Sequence, residues 1–193
     1  MLDCASIALG LGDEQALRNH HSGTLFVSSL IRYPAIPAED LRSQKVARGP
    51  AHSDLGTFTL LFQDDTGGLE IADMGSTTKT TSAAIEQDAT FIHADPEPGG
   101  IIVMGGHLLN RWTNRRYRDA VHRVTEPRSA VDDDAGVGER MIPERYSFAF
   151  FSFPEAETLI EPFITCCDDQ NPAQYEALIA GDYLLKKRVI LYT

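Results

Sequence analysis

Short apolar runs rich in β-branched and aromatic residues constrain the fold of this chain more than any other feature of its sequence. The runs are 25–27, 30–31, 57–62, 101–104, 120–124 and 146–153. Clusters of Gly, Pro, Asp and Asn separate them, which is typical of strands joined by turns. Alternating strand and helix signals, as expected of a βαβ chain, are not the dominant pattern. We therefore predict a mainly β fold of the sandwich or barrel type, with flanking helices.

The segments between and around these runs are polar or weakly helical. We predict helices at 2–20 and 182–192, although Gly10 and Gly12 weaken the first one. The stretches 155–161 and 172–181 are interpreted as a short turn and a helix. The polar stretches 73–88 and 126–139 predict surface loops.

Length and charge limit the classes of function that need consideration. A chain of 193 residues with 42% hydrophobic residues suits one domain with a substantial core. Its net charge of −11 argues against a nucleic-acid partner, because such partners require a basic surface. No apolar run is long enough to span a bilayer, so we expect no membrane association.

The cysteines and the N-terminus point to a cytoplasmic location. The chain has three cysteines, Cys4, Cys166 and Cys167, in no disulfide or zinc-binding pattern. Its first residues show no basic region of a signal peptide. We therefore expect a reducing, cytoplasmic environment. The oligomeric state cannot be read from the sequence.

His52, Asp54 and His122 form a candidate metal site. Residues two apart on a strand point to the same face, so His52 and Asp54 can converge on one point. His122 lies in another strand-like run and can supply a third ligand. Two imidazoles and one carboxylate make the facial triad of non-heme iron(II) oxygenases. Taken alone, a His-x-Asp triplet is more often a pair of surface residues.

Arg145 and Ser147 form a candidate anion site. They share one face of a strand-like run that continues into Phe148, Phe150 and Phe151, which we predict to be mostly core. An arginine that faces an apolar interior needs an anionic partner, and a guanidinium matches a carboxylate in a bidentate geometry. The alternative for Arg145 is an ion pair with an acidic residue of the same chain.

Several stretches resemble the isopenicillin N synthase-like group of 2-oxoglutarate/iron(II) dioxygenases. The resemblance is carried by GPAHSDLGTFTLLFQDDTGGLEI, LLNRWTNRRYRDAVHRV, ERYSFAFFSFPE and SLIRYPAIP, and by the C-terminal GDYLLKKRVILYT. It implies a double-stranded β-helix, which is the cupin-like jelly roll. It also implies one domain over 1–193, with a supporting helix at 1–22, the jelly-roll core at 24–153 and a C-terminal helical segment at 154–193.

The resemblance further implies a reaction and a role for each candidate residue. The expected reaction is the iron(II)- and O2-dependent oxidation of a small organic molecule, usually a hydroxylation, in which 2-oxoglutarate becomes succinate and CO2. The residues expected to bind iron are His52, Asp54 and His122. The residues expected to bind 2-oxoglutarate are Arg145 and Ser147, with Tyr33 as a neighbour.

Departures from the family pattern keep other functions open. The chain is expected to be short at its N-terminus, and the segments 68–101 and 122–145 are longer than usual. His107 occupies a position where the family commonly has an aspartate. One alternative is an iron oxidase that does not use 2-oxoglutarate, and another is a catalytically silent fragment or binding protein. A hydrolytic zinc site is less favoured, because it leaves Arg145 and Ser147 unexplained.

Overall fold

A computed structural model describes residues 1–21, 25–128 and 140–192, except for the side chains of 188–192. Antiparallel β-structure dominates these residues. The strands are β1 (Phe26–Tyr33), β2 (Ile36–Pro37), β3 (Gly49–His52), β4 (Phe58–Gln63), β5 (Leu69–Ala72), β6 (Phe91–His93), β7 (Ile102–Gly105), β8 (His122–Val124), β9 (Met141–Ile142), β10 (Arg145–Ser152), β11 (Leu159–Ile160) and β12 (Leu178–Ile179). The α-helices are α1 (Leu2–Ala8), α2 (Ala16–Asn19), α3 (Ala38–Arg42), α4 (Ser82–Asp88), α5 (His107–Trp112) and α6 (Ala180–Tyr192). A 3-10 turn covers Ile164–Cys166.

Two four-stranded antiparallel sheets form the centre of the fold. Their strand orders are β1-β10-β4-β7 and β3-β8-β5-β6, and every pairing is antiparallel. Side chains from both sheets meet in one apolar core, made of Leu61, Leu69, Met104, Val124 and Ala149. The predicted mainly β, double-stranded β-helix fold is therefore confirmed. The runs predicted as strands coincide with β1, β4, β7, β8 and β10.

Strand β10 shows how the two faces of the larger sheet differ. Arg145, Ser147 and Ala149 are buried, whereas Tyr146 and Phe148 are 41% and 40% exposed. The two-residue period of a strand produces this alternation. The prediction that Phe148 belongs to the core is wrong, because it follows Ser147 and must face the opposite side. Phe151 keeps the inward parity, and it lines the cavity described below.

Three local predictions are also wrong. Residues 2–20 form two short helices and not one, because Gly10 and Gly12 adopt φ angles of +64° and +80° between them. The polar stretch 73–88 is not all loop, since it contains α4, whose Ile85 is 2% exposed. The stretch 172–181 is not a helix but contains β12 and only the start of α6.

The other predictions concern segments outside the two four-stranded sheets. The predicted C-terminal helix is confirmed as α6. The 155–161 turn includes the two residues of β11, which pair with β12. Most of the predicted 126–139 loop, 129–139, lies outside the described residues. No helix in the described ranges has the length and apolar character needed to cross a membrane.

A second apolar cluster joins the helices to one end of the sheets. Leu17 of α2, Trp112 of α5 and Ile160 of β11 are among its buried members. His21 lies beside this cluster and links Leu17 to Thr57. Its Nδ1 donates to the Leu17 carbonyl over 2.6 Å, and its Nε2 lies 2.9 Å from Thr57 Oγ1. Burial is the main cause that lowers the pKa of His21 below its ordinary 6.5.

We predict that the metal-free chain loses stability when the pH falls through 6.5, the ordinary histidine value. The folded chain disfavours a proton on His21, so the unfolded chain binds more protons in the window below this value. This contribution is complete above the ordinary pKa and decreases as the pH falls. Chemical denaturation at several pH values measures it. A His21→Gln variant with the same pH dependence as the parent chain would contradict the prediction.

Candidate metal centre

Strands β3 and β8 bring His52 and His122 together. The two residues are register partners, and their ring centroids are 4.3 Å apart. Each Nδ1 lies 2.9 Å from a backbone carbonyl, that of Pro50 for His52 and that of Ala120 for His122. A carbonyl only accepts, so each Nδ1 carries a proton, and in the neutral imidazole Nε2 then keeps its lone pair. This is the tautomer that a metal-binding histidine uses when its other nitrogen is hydrogen-bonded.

Asp54 completes the cluster from just beyond the end of β3. Its Oδ1 is 4.0 Å from His52 Nε2, and the three ligand atoms of His52, Asp54 and His122 lie within 4.8 Å of one another. Thr59 Oγ1 donates to the other carboxylate oxygen, Oδ2, over 2.6 Å. The hydroxyl therefore orients Asp54 and leaves Oδ1 directed toward the histidines. Two imidazoles and one carboxylate can bind a divalent metal and leave coordination positions open.

Burial favours the neutral form of His122, which is the form that binds a metal. The side chain of His122 is buried, and this desolvation is the largest cause that lowers its pKa. The Asp54 carboxylate acts in the opposite direction, while the neighbouring His52 lowers the pKa further. His52 is more accessible, with 52% of its side chain exposed. The site thus has one buried and one accessible imidazole.

Close backbone packing fixes the loop that carries Asp54. The His107 N–H donates to the Asp54 carbonyl over 2.8 Å, and the Gly106 N–H donates to the Thr57 carbonyl over 2.9 Å. A Cβ on Gly106 would lie 2.2 Å from the Gly56 carbonyl oxygen, so only glycine fits there. The start of α5 therefore holds this loop against β4.

A polar network lies behind the same loop. Asp119 accepts from Asn110 Nδ2 over 2.8 Å, and its Oδ2 is 3.4 Å from His107 Nδ1. Burial raises the pKa of Asp119, but hydrogen bonds from His107 and Ser53 outweigh it and hold the pKa below its ordinary value. His107 also stacks on the Tyr183 ring at 5.6 Å. The network thus holds Ser53, the residue that lies between two of the metal ligands.

Arg145 and Ser147 stand on the neighbouring sheet with unpartnered polar atoms. Arg145 is 1% exposed and Ser147 is 3% exposed. Arg145 Nε, Arg145 Nη1 and Ser147 Oγ are buried and have no hydrogen-bond partner in the described parts of the chain. The Tyr33 ring centroid is 4.9 Å from Arg145 Cζ. Leaving such groups unpaired is costly, so an anionic ligand at this end of the cavity would be favourable.

One cavity of about 90 Å³ joins the two groups of residues. All six residues singled out from the sequence line it: Tyr33, His52, Asp54, His122, Arg145 and Ser147. The geometry thus brings together every predicted site residue, with no exception. The rest of the lining is largely apolar and includes Leu61, Leu69, Met104 and Val124.

Sequence reasoning missed Thr59 and Gln63, which both contact this group of residues. Thr59 binds the Asp54 carboxylate, and Gln63 Oε1 accepts from Arg145 Nη2 over 3.0 Å. Both lie on β4 at the parity of the buried Leu61. A polar side chain that shares the parity of a core residue is the signal that could have identified them.

Residues 14–154 match the model of the 2OG-Fe(II) oxygenase superfamily. The 2-oxoglutarate-dependent dioxygenase htyE of Aspergillus rugulosus is 34% identical over 185 residues, which are 95% of this chain and 49% of that protein. The 2-oxoglutarate-dependent dioxygenase gloF of Glarea lozoyensis is 34% identical over 192 residues, which are 100% of this chain and 53% of that protein. The chain thus spans about half the length of the curated relatives it matches.

Solved structures of two complexes share the fold of this chain over nearly all of its length. A full-length Neurospora crassa protein, solved in complex with alpha-KG, matches with a TM-score of 0.80 and 28% identity, over 99% of this chain and 52% of that chain. The same Neurospora crassa protein in complex with alpha-KG and thymine matches with a TM-score of 0.81 and 28% identity, over 99% of this chain and 51% of that chain.

We predict that Thr59→Val weakens binding of a divalent metal roughly 10- to 100-fold, the range typical of lost contacts to a metal ligand. Valine has nearly the shape of threonine but cannot hold the Asp54 carboxylate. Thr59→Ser, which keeps the hydroxyl, is the matched control. Titration with Mn²⁺ followed by electron paramagnetic resonance gives the dissociation constants. Equal constants for the Val and Ser variants would show that this hydrogen bond does not support the site.

Proposed function

We propose that this chain, which belongs to the 2OG-Fe(II) oxygenase superfamily, acts as an iron(II)-dependent oxygenase. In the proposed reaction it consumes 2-oxoglutarate and O2, releases succinate and CO2, and transfers one oxygen atom to a small organic molecule. The chain corresponds to about half of its relatives' length, so this activity is assigned to the protein as a proposal.

One observation carries the proposal. A set of two imidazoles and one carboxylate shares a cavity with a buried guanidinium that has no anionic partner among the described residues. A metal site alone would fit hydrolytic zinc as well, and a buried arginine alone would fit many anions. 2-Oxoglutarate has a 2-oxo acid end that can chelate a metal and a distal carboxylate that can pair with arginine. The cavity offers a partner for each end.

The chain's own residues have definite tasks in this proposal. His52, Asp54 and His122 would hold iron(II), which suits mixed imidazole and carboxylate ligands with open positions. The redox chemistry, in which the cosubstrate is decarboxylated and O2 is reduced, would be supplied by the bound iron(II). Arg145 and Ser147 would bind the distal carboxylate. Thr59 keeps the Asp54 carboxylate oriented, and the apolar lining excludes water from the reacting groups.

The substrate is proposed to be a small organic molecule. Solved relatives support this class, since the Neurospora crassa protein was crystallised with thymine and with 5-formyluracil. A curated relative from Petromyces alliaceus, 36% identical over 155 residues, is named proline hydroxylase buaE. We propose no nucleic-acid partner, because the net charge is −11. A cytoplasmic location is proposed because Cys4, Cys166 and Cys167 are free thiols.

The first test of this function removes one ligand. We predict that Asp54→Ala abolishes iron-dependent succinate formation from 2-oxoglutarate, because the metal loses its only carboxylate among the described ligands. Asp65 is an exposed aspartate on the turn that follows β4. The matched control is therefore Asp65→Ala, which should keep the parent rate. Quantification of succinate by mass spectrometry provides the readout. Turnover by Asp54→Ala equal to that of Asp65→Ala would overturn the assignment.

A second prediction concerns the cosubstrate. Arg145→Gln should raise the KM for 2-oxoglutarate about 10- to 100-fold, because charge-assisted hydrogen bonds of about 1.5–3 kcal/mol are lost. The rate of oxygen uptake, measured over a range of 2-oxoglutarate concentrations that includes zero, gives this KM. Uptake that proceeds with substrate but without 2-oxoglutarate would instead support an iron oxidase of the same superfamily. An absence of both metal binding and oxygen uptake would support a catalytically silent protein.

A further inference from the structure

Gln63 contacts the buried guanidinium of Arg145 in a fixed orientation. It lies at the end of β4, where it is the register partner of Ser147 on β10. Its Oε1 accepts from Arg145 Nη2 over 3.0 Å, and its Nε2 donates to the Ala94 carbonyl over 2.9 Å. Because the Ala94 carbonyl can only accept, the amide must present its NH2 group there and its oxygen to Arg145.

The contact does not neutralise Arg145. Among the residues that the structure describes, no carboxylate lies within ion-pair distance of this guanidinium. Burial is the main cause that lowers the pKa of Arg145, while Tyr33 and, to a smaller extent, Asp64 raise it. The Asp64 carboxylate accepts from the Thr66 N–H over 3.0 Å and also from the Tyr146 N–H.

A second arginine increases the positive charge at this end of the cavity. Burial is the main cause that lowers the pKa of Arg48, and the charge of Arg145 lowers it further. Arg48 Nη2 donates to the carbonyls of Pro34 and Pro143, which are also neutral. Its Nε and Nη1 are buried without hydrogen-bond partners. The described surroundings of both guanidinium groups are therefore dominated by neutral acceptors.

We propose that Gln63 is a positioning residue that also determines specificity for the cosubstrate. Its neutral oxygen fixes the Arg145 guanidinium while the positive charge stays available for a ligand. The site would thereby select 2-oxo acids that carry a second carboxylate over those that lack one. This inference rests on the function proposed above and concerns the same cavity.

A glutamate at the same position would have the opposite effect. A carboxylate matches a guanidinium in a bidentate pair, and a buried pair of this kind is strongly favoured over either charge alone. Arg145 would then be neutralised within the protein, and a cosubstrate carboxylate would gain little by approaching it. The nearly isosteric change from Gln63 to glutamate therefore separates charge from shape.

The test compares two ligands on three proteins. The ligands are 2-oxoglutarate and 2-oxopentanoate, which has the same five-carbon chain without the distal carboxylate. The proteins are the parent chain, Gln63→Glu and Gln63→Met, each loaded with Mn²⁺ and studied by isothermal titration calorimetry. Binding is measured without turnover, so no substrate needs to be known.

The ratio of the two dissociation constants is the decisive quantity. The parent chain should prefer 2-oxoglutarate about 100-fold, a preference set by charge-assisted hydrogen bonds to one carboxylate. Gln63→Glu should reduce this ratio to below about 10, whereas Gln63→Met should lower it only several-fold, because 2-oxoglutarate binding weakens and 2-oxopentanoate binding stays the same. A purely structural role would weaken both ligands equally and leave the ratio unchanged. An unchanged ratio in Gln63→Glu overturns the inference.

Three further outcomes separate this inference from the proposed function. If Gln63→Glu does not fold, Gln63→Met decides, because 2-oxoglutarate binding as tight as in the parent chain would show that Gln63 does not position Arg145. If the parent chain binds Mn²⁺ but not 2-oxoglutarate, the proposed function fails, and this inference falls with it. Parent binding of 2-oxoglutarate with no effect of either Gln63 variant overturns the inference alone.

Discussion

The antiparallel pairing of β3 with β8 is the constraint on which the rest of the site depends. It places His52 opposite His122, so the separation of the two imidazoles is set by the sheet and not by a flexible loop. Asp54 then joins them because its loop is clamped between β4 and the start of α5. The glycine contact between Gly56 and Gly106 allows this clamp, since no side chain fits between the two backbones. Metal-binding geometry is thus a consequence of strand register and close packing.

The opposite end of the cavity holds a charge that the fold leaves uncompensated. Burying the Arg145 guanidinium beside neutral acceptors costs stability in the free protein. A dicarboxylate bound there would remove this cost and would stabilise the folded chain by RT ln(1 + c/Kd), where c is the concentration of free ligand. In the proposed function the two ends have different roles. One end would present lone pairs to a metal, and the other would present positive charge to a carboxylate.

Simple two-residue spacing was enough to predict most of the residues that the fold brings together in the cavity. It identified His52 with Asp54, and Arg145 with Ser147, and the cavity contains all four. The same two-residue period places Phe148 on the outer face of the sheet. The prediction that Phe148 belongs to the core therefore conflicts with the period that paired Arg145 with Ser147. The break of the predicted 2–20 helix depends on two left-handed glycines, whose conformation a helical pattern does not reveal. The sequence pattern did not identify Gln63, because its proposed role depends on contacts with Arg145 and the Ala94 carbonyl, which are distant in the sequence.

The most direct test of the central claim is a crystal structure of the chain with Mn²⁺ and 2-oxoglutarate, with the metal located by anomalous scattering. The account predicts one metal bound by His52 Nε2, Asp54 Oδ1 and His122 Nε2, at distances of about 2.0–2.2 Å. It also predicts that the distal carboxylate of 2-oxoglutarate contacts Arg145 and Ser147. A metal bound elsewhere, or a cosubstrate carboxylate that leaves Arg145 unpartnered, would contradict it.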